Sequence, residues 1–266
     1  MKYISTIQKP LTPQDVKKFE RNGYIVVKNA IPTCLAHDLA ETMLAYQKES
    51  NKYLQETHDE YAGGIVRMVH HPLQWKLRES PIIYLAFCQL LNDSKLWVTF
   101  DRGKIVPPAS FKGDLQKGFI HWDINTNFLP TPIPLQGLVT LTDASADQGG
   151  FQCVPGFHRE FSDWKKKQPL NRDPFHPSLK GLKVVPIEMK AGDLVIWNSL
   201  LPHGNGPNHS DTPRIAQIVR MFPNKLYEKK TLHQRLEMWE NKLPYNNSGL
   251  NLLNWDEPKL SPLGER

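Results

Sequence analysis

The feature that most constrains the fold is a series of short β-rich runs across the middle of the chain, each bounded by turn signals. Pro-rich links at 106–108, 130–134 and 202–213 separate several of these runs. Several short strands at fairly regular spacing favour an all-β sandwich, barrel or jelly roll. The runs cover residues 96–106, 118–123, 135–142, 150–155, 182–189, 193–198 and 214–221.

Helical patterns precede and follow this β-rich region. Thr12 can cap a first helix that starts at Pro13 and ends at Asn22, and residues 24–27 then read as a strand. Further helices are predicted over about 33–48, 81–91 and 227–243, while residues 49–80 are ambiguous. We expect one domain over 1–266, with a mostly helical part (1–95), a β core (96–222) and a C-terminal extension (223–266).

Charge and cysteine content exclude several classes of protein. The net charge is +6, but basic residues cluster only at 165–167 and 229–230, so no basic stripe predicts nucleic-acid binding. An anionic small-molecule substrate is compatible with this charge. Three cysteines without CxxC spacing argue against a disulfide framework, and no signal peptide or membrane-length apolar run is visible. These features predict a cytoplasmic protein without membrane or nucleic-acid partners, and they leave its oligomeric state open.

Three residues that lie far apart in the chain indicate a metal site. His121 and Asp123 are two residues apart, so on a strand their side chains share one face, although an HxD pair alone is a weak signal. His203, in a Pro/Gly turn after an apolar run, is the best candidate for a third ligand. Two imidazoles and one carboxylate form the facial triad of non-haem iron oxygenases. Zinc can use the same ligands in a hydrolytic site, so the triad does not by itself select the metal.

Arg214 favours an oxygenase over a zinc enzyme. It lies eleven residues after His203, at the start of the next β-rich run. A guanidinium binds a carboxylate through two parallel hydrogen bonds, which suits the far carboxylate of 2-oxoglutarate. The alternative for an arginine on a strand is a structural salt bridge. After an HxD pair and a distal histidine, the cosubstrate is the better interpretation.

Polar and aromatic residues near the proposed metal ligands are candidate contacts for small molecules. Gln136 and Thr140 share one strand face, which either lines a cavity for cosubstrate or substrate or is simply solvated. Trp122 and Asn125 flank the metal pair and are candidate substrate contacts. Core packing is an equal alternative for the tryptophan.

Two further arginines are candidate substrate contacts. Arg220 lies three even steps from Arg214 along one run and is expected to face the same cavity or to help anchor it. Arg67, with His70 and His71, marks a cationic segment that either binds an anionic substrate or forms a hydrated loop. Adjacent histidines point in different directions on a regular backbone, which argues against a second metal there.

The combined motifs resemble those of the phytanoyl-CoA dioxygenase (PhyH-like) family of Fe(II)- and 2-oxoglutarate-dependent oxygenases. The resemblance covers about residues 11–222 and implies a double-stranded β-helix, a jelly-roll, cupin-like core with flanking helices. It also implies that insertions in the N-terminal part form a lid over the active site. The motifs are LTPQDVKKFERNGYIVVKNAI (11–31), HWD (121–123), GGFQCVPGFHR (149–159), AGDLVIWNSLLPHGNGPN (191–208) and PRIAQIVRM (213–221).

The resemblance also implies roles for individual residues. His121, Asp123 and His203 match the iron ligands that carry the chemistry, and Arg214 matches the arginine that holds 2-oxoglutarate. Asn205 falls where the family often has a polar helper for the same carboxylate. Lys104 is a looser match to a cosubstrate-contacting lysine.

The function that the resemblance implies is a dioxygenase that uses Fe(II), 2-oxoglutarate and O2 to hydroxylate a small-molecule metabolite, with release of succinate and CO2. Halogenating relatives replace the carboxylate ligand with a small residue, so Asp123 favours hydroxylation over halogenation. Two alternatives remain open. One is a metal-dependent cupin-like enzyme that does not use 2-oxoglutarate, and the other is a non-catalytic jelly-roll binding protein.

Overall fold

The computed structural model describes residues 9–54, 64–111, 113–226, 229–242 and 258–264. The N-terminal part contains α1 (Pro13–Asn22), β1 (Tyr24–Val27), α2 (Thr33–Leu54), β2 (Ile65–Val66), α3 (Pro72–Arg78) and α4 (Pro81–Leu91). The remaining elements are β3 (Leu96–Val98), β4 (Gly103–Val106), β5 (Leu135–Thr140), β6 (Phe151–Cys153), α5 (Phe157–Lys166), β7 (Val185–Pro186), β8 (Leu194–Asn198), β9 (His203–Asn205), β10 (Arg214–Ile218), β11 (Met221–Pro223) and α6 (Lys229–Glu240).

Local sequence signals set the bounds of α1. The Thr12 hydroxyl accepts a hydrogen bond from the Asp15 backbone amide at 3.2 Å, and the Asp15 carboxylate accepts one from the Thr12 amide at 2.9 Å. This reciprocal capping box satisfies two amides that the first helical turn leaves free. At the other end Gly23 takes a left-handed φ of 78° and its amide donates to the Phe19 carbonyl, so the chain turns directly into β1.

Two antiparallel sheets position the candidate site. The larger sheet has six strands in the order β1-β8-β5-β10-β4-β2, and the smaller has the order β7-β6-β9. Residues 119–121 extend the smaller sheet, because Phe119 donates to Asn205 and His121 exchanges two backbone hydrogen bonds with His203. Strands β11 and β3 form a separate pair. Strand neighbours are mostly distant in sequence, as expected for a jelly roll.

The six-stranded sheet has a buried core on each face. Side chains alternate between the faces of a strand, so Val139 and Ile196 pack with residues of α2 and α4 in a first core. Leu138 and Val195, one residue away on the same strands, pack in a second core with residues of the smaller sheet. We call the face of the six-stranded sheet that carries Leu138 and Val195 the site face, because the candidate metal ligands lie on that side of the sheet.

Several predicted elements differ from the observed ones. The run 96–106 is not one strand but two, β3 and β4, which belong to different sheets. Residues 118–123 form a single bridge at His121 rather than a continuous strand. The turn predicted around His203 is wrong, since residues 203–205 form strand β9. Helices α3 and α5 were not predicted. No helix within the described ranges is long and apolar enough to cross a membrane.

Candidate active site

His121, Asp123 and His203 lie together, with one ligand atom from each residue within 4.8 Å of the others. The two carboxylate oxygens of Asp123 each face one histidine: His121 Nε2 is 3.1 Å from Oδ1, and His203 Nε2 is 3.2 Å from Oδ2. His203 is buried, whereas the Asp123 side chain is 44% exposed, so the group is reached from one side. A metal ion at this point would be held against the smaller sheet and accessible from the opposite direction.

Backbone pairing brings the two histidines together across more than eighty residues of sequence. The His121 amide donates to the His203 carbonyl at 2.8 Å, and the His203 amide donates back to the His121 carbonyl at 3.1 Å. Gly204 makes this approach possible, since a Cβ atom built there would lie 1.8 Å from the Phe119 carbonyl oxygen. A residue with a side chain could not occupy this position without displacing the neighbouring strand.

The hydrogen-bond pattern suits a cation. His203 Nδ1 lies 2.9 Å from the Leu201 carbonyl oxygen and therefore donates its proton there. In the neutral ring, Nε2 is then an acceptor that faces an acceptor oxygen of Asp123, which is unfavourable unless a proton or a metal ion lies between them. Burial alone would raise the pKa of Asp123, but its close contacts with His121 and His203 outweigh burial and hold the pKa well below its usual range. The ionised carboxylate and two imidazoles fit the iron triad.

Arg214 is a buried cation without an acidic partner in the described part of the chain. It is 2% exposed, and its Nε and Nη2 atoms donate to the Gly149 carbonyl at 2.8 Å and to Asn205 Oδ1 at 2.5 Å. Its Nη1 atom is buried, and no described residue forms a hydrogen bond with it. Burial lowers the pKa of Arg214 to about 10, because no carboxylate there offsets the desolvation. A carboxylate ligand would satisfy the remaining guanidinium donor and offset the buried charge.

Lys104 adds a second positive charge to the site face. It lies opposite Ala216 in the pairing of β4 with β10, so it shares a face with Arg214. Burial, then the charges of Arg214 and Arg102, lower the pKa of Lys104 to about 8. The charges of the buried Arg214 and the half-buried Lys104 repel each other, and an anionic ligand would relieve that repulsion.

Comparison with known proteins identifies the family. The family model described as "Phytanoyl-CoA dioxygenase (PhyH)" matches residues 19–216, about three quarters of the chain. The chain belongs to the phytanoyl-CoA dioxygenase family. This membership confirms the recognition made from the sequence motifs, and it makes the chain an enzyme of the dioxygenase class.

Individual relatives of this family member support the same conclusion. A Dictyostelium discoideum protein named as a phytanoyl-CoA dioxygenase is 25% identical over 77% of this chain and 74% of its own. The ectoine dioxygenase of Bordetella bronchiseptica is 27% identical over 83% of this chain and 79% of its own. The solved structure of the epimerase SnoN, in complex with Fe³⁺, α-ketoglutarate and nogalamycin RO, covers 94% of this chain and 96% of its own, with a TM-score of 0.55 and 14% identity. At 14% identity the match shows a shared fold and no more, and it confirms the predicted fold.

The polar strand residues predicted from the sequence do share the site face. Thr140 lies opposite Ala216, and Gln136 lies opposite Trp197, each on the side that faces the smaller sheet. The Thr140 hydroxyl donates to the Thr142 carbonyl at 2.8 Å. Trp197 carries no motif that marks it as a site residue, but its ring centroid is 4.8 Å from that of His203. Its position becomes visible only through the register of β5 with β8, which no local pattern encodes.

Trp122 and Asn125 have structural contacts. The Trp122 ring is 1% exposed, its indole N–H donates to the Leu200 carbonyl at 2.9 Å, and it packs in the second core. This placement favours the packing alternative for Trp122. Asn125 Oδ1 accepts a hydrogen bond from the Asn127 amide at 2.9 Å and so closes a local turn beside the metal group.

The candidate arginines outside the site face are placed differently. Arg220 forms two hydrogen bonds with the Asp101 carboxylate, at 3.2 and 2.5 Å, which fits the anchoring alternative. Arg67 is exposed between β2 and α3, and its contact with substrate stays a prediction. His70 is 1% exposed among aromatic rings, and His71 caps α3 by accepting from the Leu73 amide. Part of the predicted lid, residues 55–63, lies outside the described residues.

Proposed function

We propose that this family member is an Fe(II)- and 2-oxoglutarate-dependent dioxygenase that hydroxylates a small-molecule metabolite and releases succinate and CO2. The observation that carries the proposal is the His121–Asp123–His203 group, joined through β9 to a buried guanidinium that has no acidic partner in the described residues. Membership of a dioxygenase family and the iron and α-ketoglutarate named for SnoN support the choice of cofactors.

Each residue of the metal group has a distinct task. His203 presents Nε2 because its Nδ1 proton is bound to the Leu201 carbonyl, and Asp123 supplies the negative charge that offsets a divalent cation. His121, Asp123 and His203 would hold the metal ion from one side and would leave the other side to cosubstrate and O2. Iron with 2-oxoglutarate and O2 supplies the oxidation itself, in which the keto acid becomes succinate and CO2 and the substrate gains an oxygen atom.

Arg214, Asn205 and Lys104 would hold the far carboxylate of the cosubstrate. Asn205 accepts from one guanidinium nitrogen and so fixes the plane of Arg214, which leaves Nη1 to donate to a ligand oxygen. Lys104 contributes charge from the adjacent strand. The second core behind this face excludes water and thereby strengthens each of these electrostatic contacts.

The proposal also covers the type of oxidation, which is hydroxylation, and the class of substrate, which is a small-molecule metabolite. Asp123 supplies a carboxylate ligand and so favours hydroxylation over halogenation. The relatives' names include both an ectoine dioxygenase and an epimerase, so the fold is compatible with more than one outcome. A screen of metabolites by stimulated succinate formation, with mass analysis of the product for one added oxygen atom, tests both parts.

Anaerobic titration tests the cosubstrate directly. Adding 2-oxoglutarate to the Fe(II)-loaded protein should produce the visible charge-transfer absorption of a chelated keto acid, and Arg214→Met should raise the Kd by at least about 30-fold, since losing one partner of a buried charged pair costs roughly 2 kcal/mol or more. Arg159→Met, on the exposed side of α5, is the matched control and should bind normally. If Arg214→Met keeps full activity, the cupin-like alternative without 2-oxoglutarate is correct.

A further inference from the structure

Two buried hydrogen-bond donors on the site face have no partner among the residues that the structure describes. Gln136 and Trp197 are each 4% exposed, and the Gln136 side-chain amide nitrogen and the Trp197 indole nitrogen are both without a hydrogen-bond acceptor. Leaving a buried donor unsatisfied is costly, and native proteins rarely do so without a reason such as a missing ligand. Two such donors on facing residues are therefore candidate contacts for a ligand.

The strand register places these donors side by side. Gln136 is paired with Trp197 across β5 and β8, so their Cβ atoms lie about 5 Å apart on the same face. The Trp197 ring packs against the rings of Phe151 and His203, each with a centroid separation of 4.8 Å. The pair is thus directly adjacent to one of the proposed metal ligands.

Strand β9 connects this pair to the arginine. Its first residue, His203, packs on Trp197, and its last residue, Asn205, accepts a hydrogen bond from Arg214. The two ends of β9 are about 7 Å apart at a rise of about 3.3 Å per residue. The carboxylate carbons of a five-carbon dicarboxylate are about 5 Å apart when its carbon–carbon bonds are about 1.5 Å long. A molecule of that length therefore matches the spacing between the two β9 residues that contact Trp197 and Arg214.

The geometry points to Gln136 and Trp197 as a donor pair that binds the carboxylate of 2-oxoglutarate opposite the one held by Arg214. The inference rests on the proposed function and assigns two further residues to the cosubstrate. Both donors are neutral, so they would orient the carboxylate next to the metal group and leave its negative charge to the metal ion. The pair would therefore select for a ligand with an acceptor at each end.

Affinity measurements test this pair. In anaerobic titrations of the Fe(II)-loaded protein, Gln136→Leu and Trp197→Phe should each raise the Kd for 2-oxoglutarate about tenfold or more, because each removes a hydrogen bond to a charged group. The ligand-free Gln136→Leu variant should unfold at the same temperature as the wild type or a higher one, because it removes an unsatisfied buried donor at nearly constant volume. For this variant a merely structural role would produce the opposite pattern, with a lower unfolding temperature and unchanged affinity.

Trp75→Phe is the matched control. Its indole nitrogen is also buried without a partner, but the ring lies in α3 beside His70 and Trp239, in a different cluster. This variant should bind 2-oxoglutarate as the wild type does. If it weakens binding as much as Trp197→Phe, the effect is not specific to the pair and the inference is wrong.

Nuclear magnetic resonance gives a second readout that does not depend on turnover. With Zn(II) in place of Fe(II), 2-oxoglutarate should shift the Trp197 indole N–H resonance, which is assigned by its loss from the Trp197→Phe spectrum. If the wild type binds 2-oxoglutarate but this resonance stays unchanged and both variants bind normally, the inference alone is overturned. If the wild type itself does not bind 2-oxoglutarate, the proposed function fails with it.

Discussion

The proposed contact of Lys104 with the cosubstrate would make binding depend on pH. Its pKa is lowered to about 8 by burial and by the nearby arginines, and a bound carboxylate would raise it again. Below pH 8 the lysine is charged with or without ligand, and above it binding must take up a proton. We therefore expect 2-oxoglutarate affinity to be constant below about pH 8 and to fall as the pH rises beyond it, by at most about tenfold per pH unit.

Calorimetry in two buffers of different ionisation enthalpy measures this proton uptake. At about pH 9, up to about one proton should be taken up per 2-oxoglutarate bound, and Lys104→Met should abolish the uptake while weakening the binding at pH 7. Lys180→Met, an exposed lysine, serves as the control. Equal proton uptake by the wild type and Lys104→Met would show that another group titrates and that Lys104 is not the source of the pH dependence.

At the element scale, strand β9 aligns the metal group, and Gly204 is the residue on which that alignment depends. A methyl group at this position would lie 1.8 Å from the Phe119 carbonyl oxygen, so Gly204→Ala must push β9 away from residues 119–121. We expect this variant to lose at least about tenfold in affinity for Fe(II) or Zn(II), because the two histidines separate by several tenths of an ångström or more. Calorimetric metal titration measures the loss.

Gly206→Ala is the control for this substitution. A Cβ atom at Gly206 has no neighbour closer than 3.5 Å, which is an ordinary contact, so its metal affinity should match that of the wild type. If Gly204→Ala also binds metal normally, the pairing of β9 with residues 119–121 does not determine the position of the ligands.

The same elements show which parts of the structure were predictable. Helices α1 and α4 were predicted with their observed bounds, because their signals are local: a capping residue, a proline in the first turn, and a glycine or asparagine in the left-handed conformation at the end. Strand β9 was missed, because Gly204 and Pro202 are typical of turns and the strand exists only through pairing with distant residues. His203 was nevertheless predicted as a ligand, through the motif around it rather than through any geometry.

Register was the least predictable property of the site. The shared face of Gln136 and Thr140 follows from the two-residue period of a strand and was predicted. That Gln136 lies opposite Trp197 depends on which strands pair and at which offset, and a one-residue slip would reverse every face. The contacts of Arg220 with Asp101 and of Trp122 with the Leu200 carbonyl depend in the same way on tertiary pairing.

At the scale of the whole molecule, the six-stranded sheet separates a core that serves stability from a core that also supports the site. Val139 of β5 and Val195 of β8 are both fully buried. Val139 pairs with Leu194 and Val195 pairs with Leu138, so Val139 faces the first core and Val195 faces the second. Val139→Ala and Val195→Ala should each lower the free energy of unfolding by roughly 2 kcal/mol, since each leaves a similar cavity. Urea unfolding of the ligand-free variants measures that cost.

The two variants should differ in binding, although they make the same chemical change. Val195 belongs to the cluster that holds Trp197 and Phe151 against His203, so loosening that cluster should raise the Kd for 2-oxoglutarate several-fold in Val195→Ala. Val139→Ala loosens packing against the helices on the other side of the sheet, and its Kd should stay within about twofold of the wild-type value. Equal changes in Kd would mean that looser packing on one face of the sheet also disturbs the other face. The helical side of this protein would then contribute to its active site.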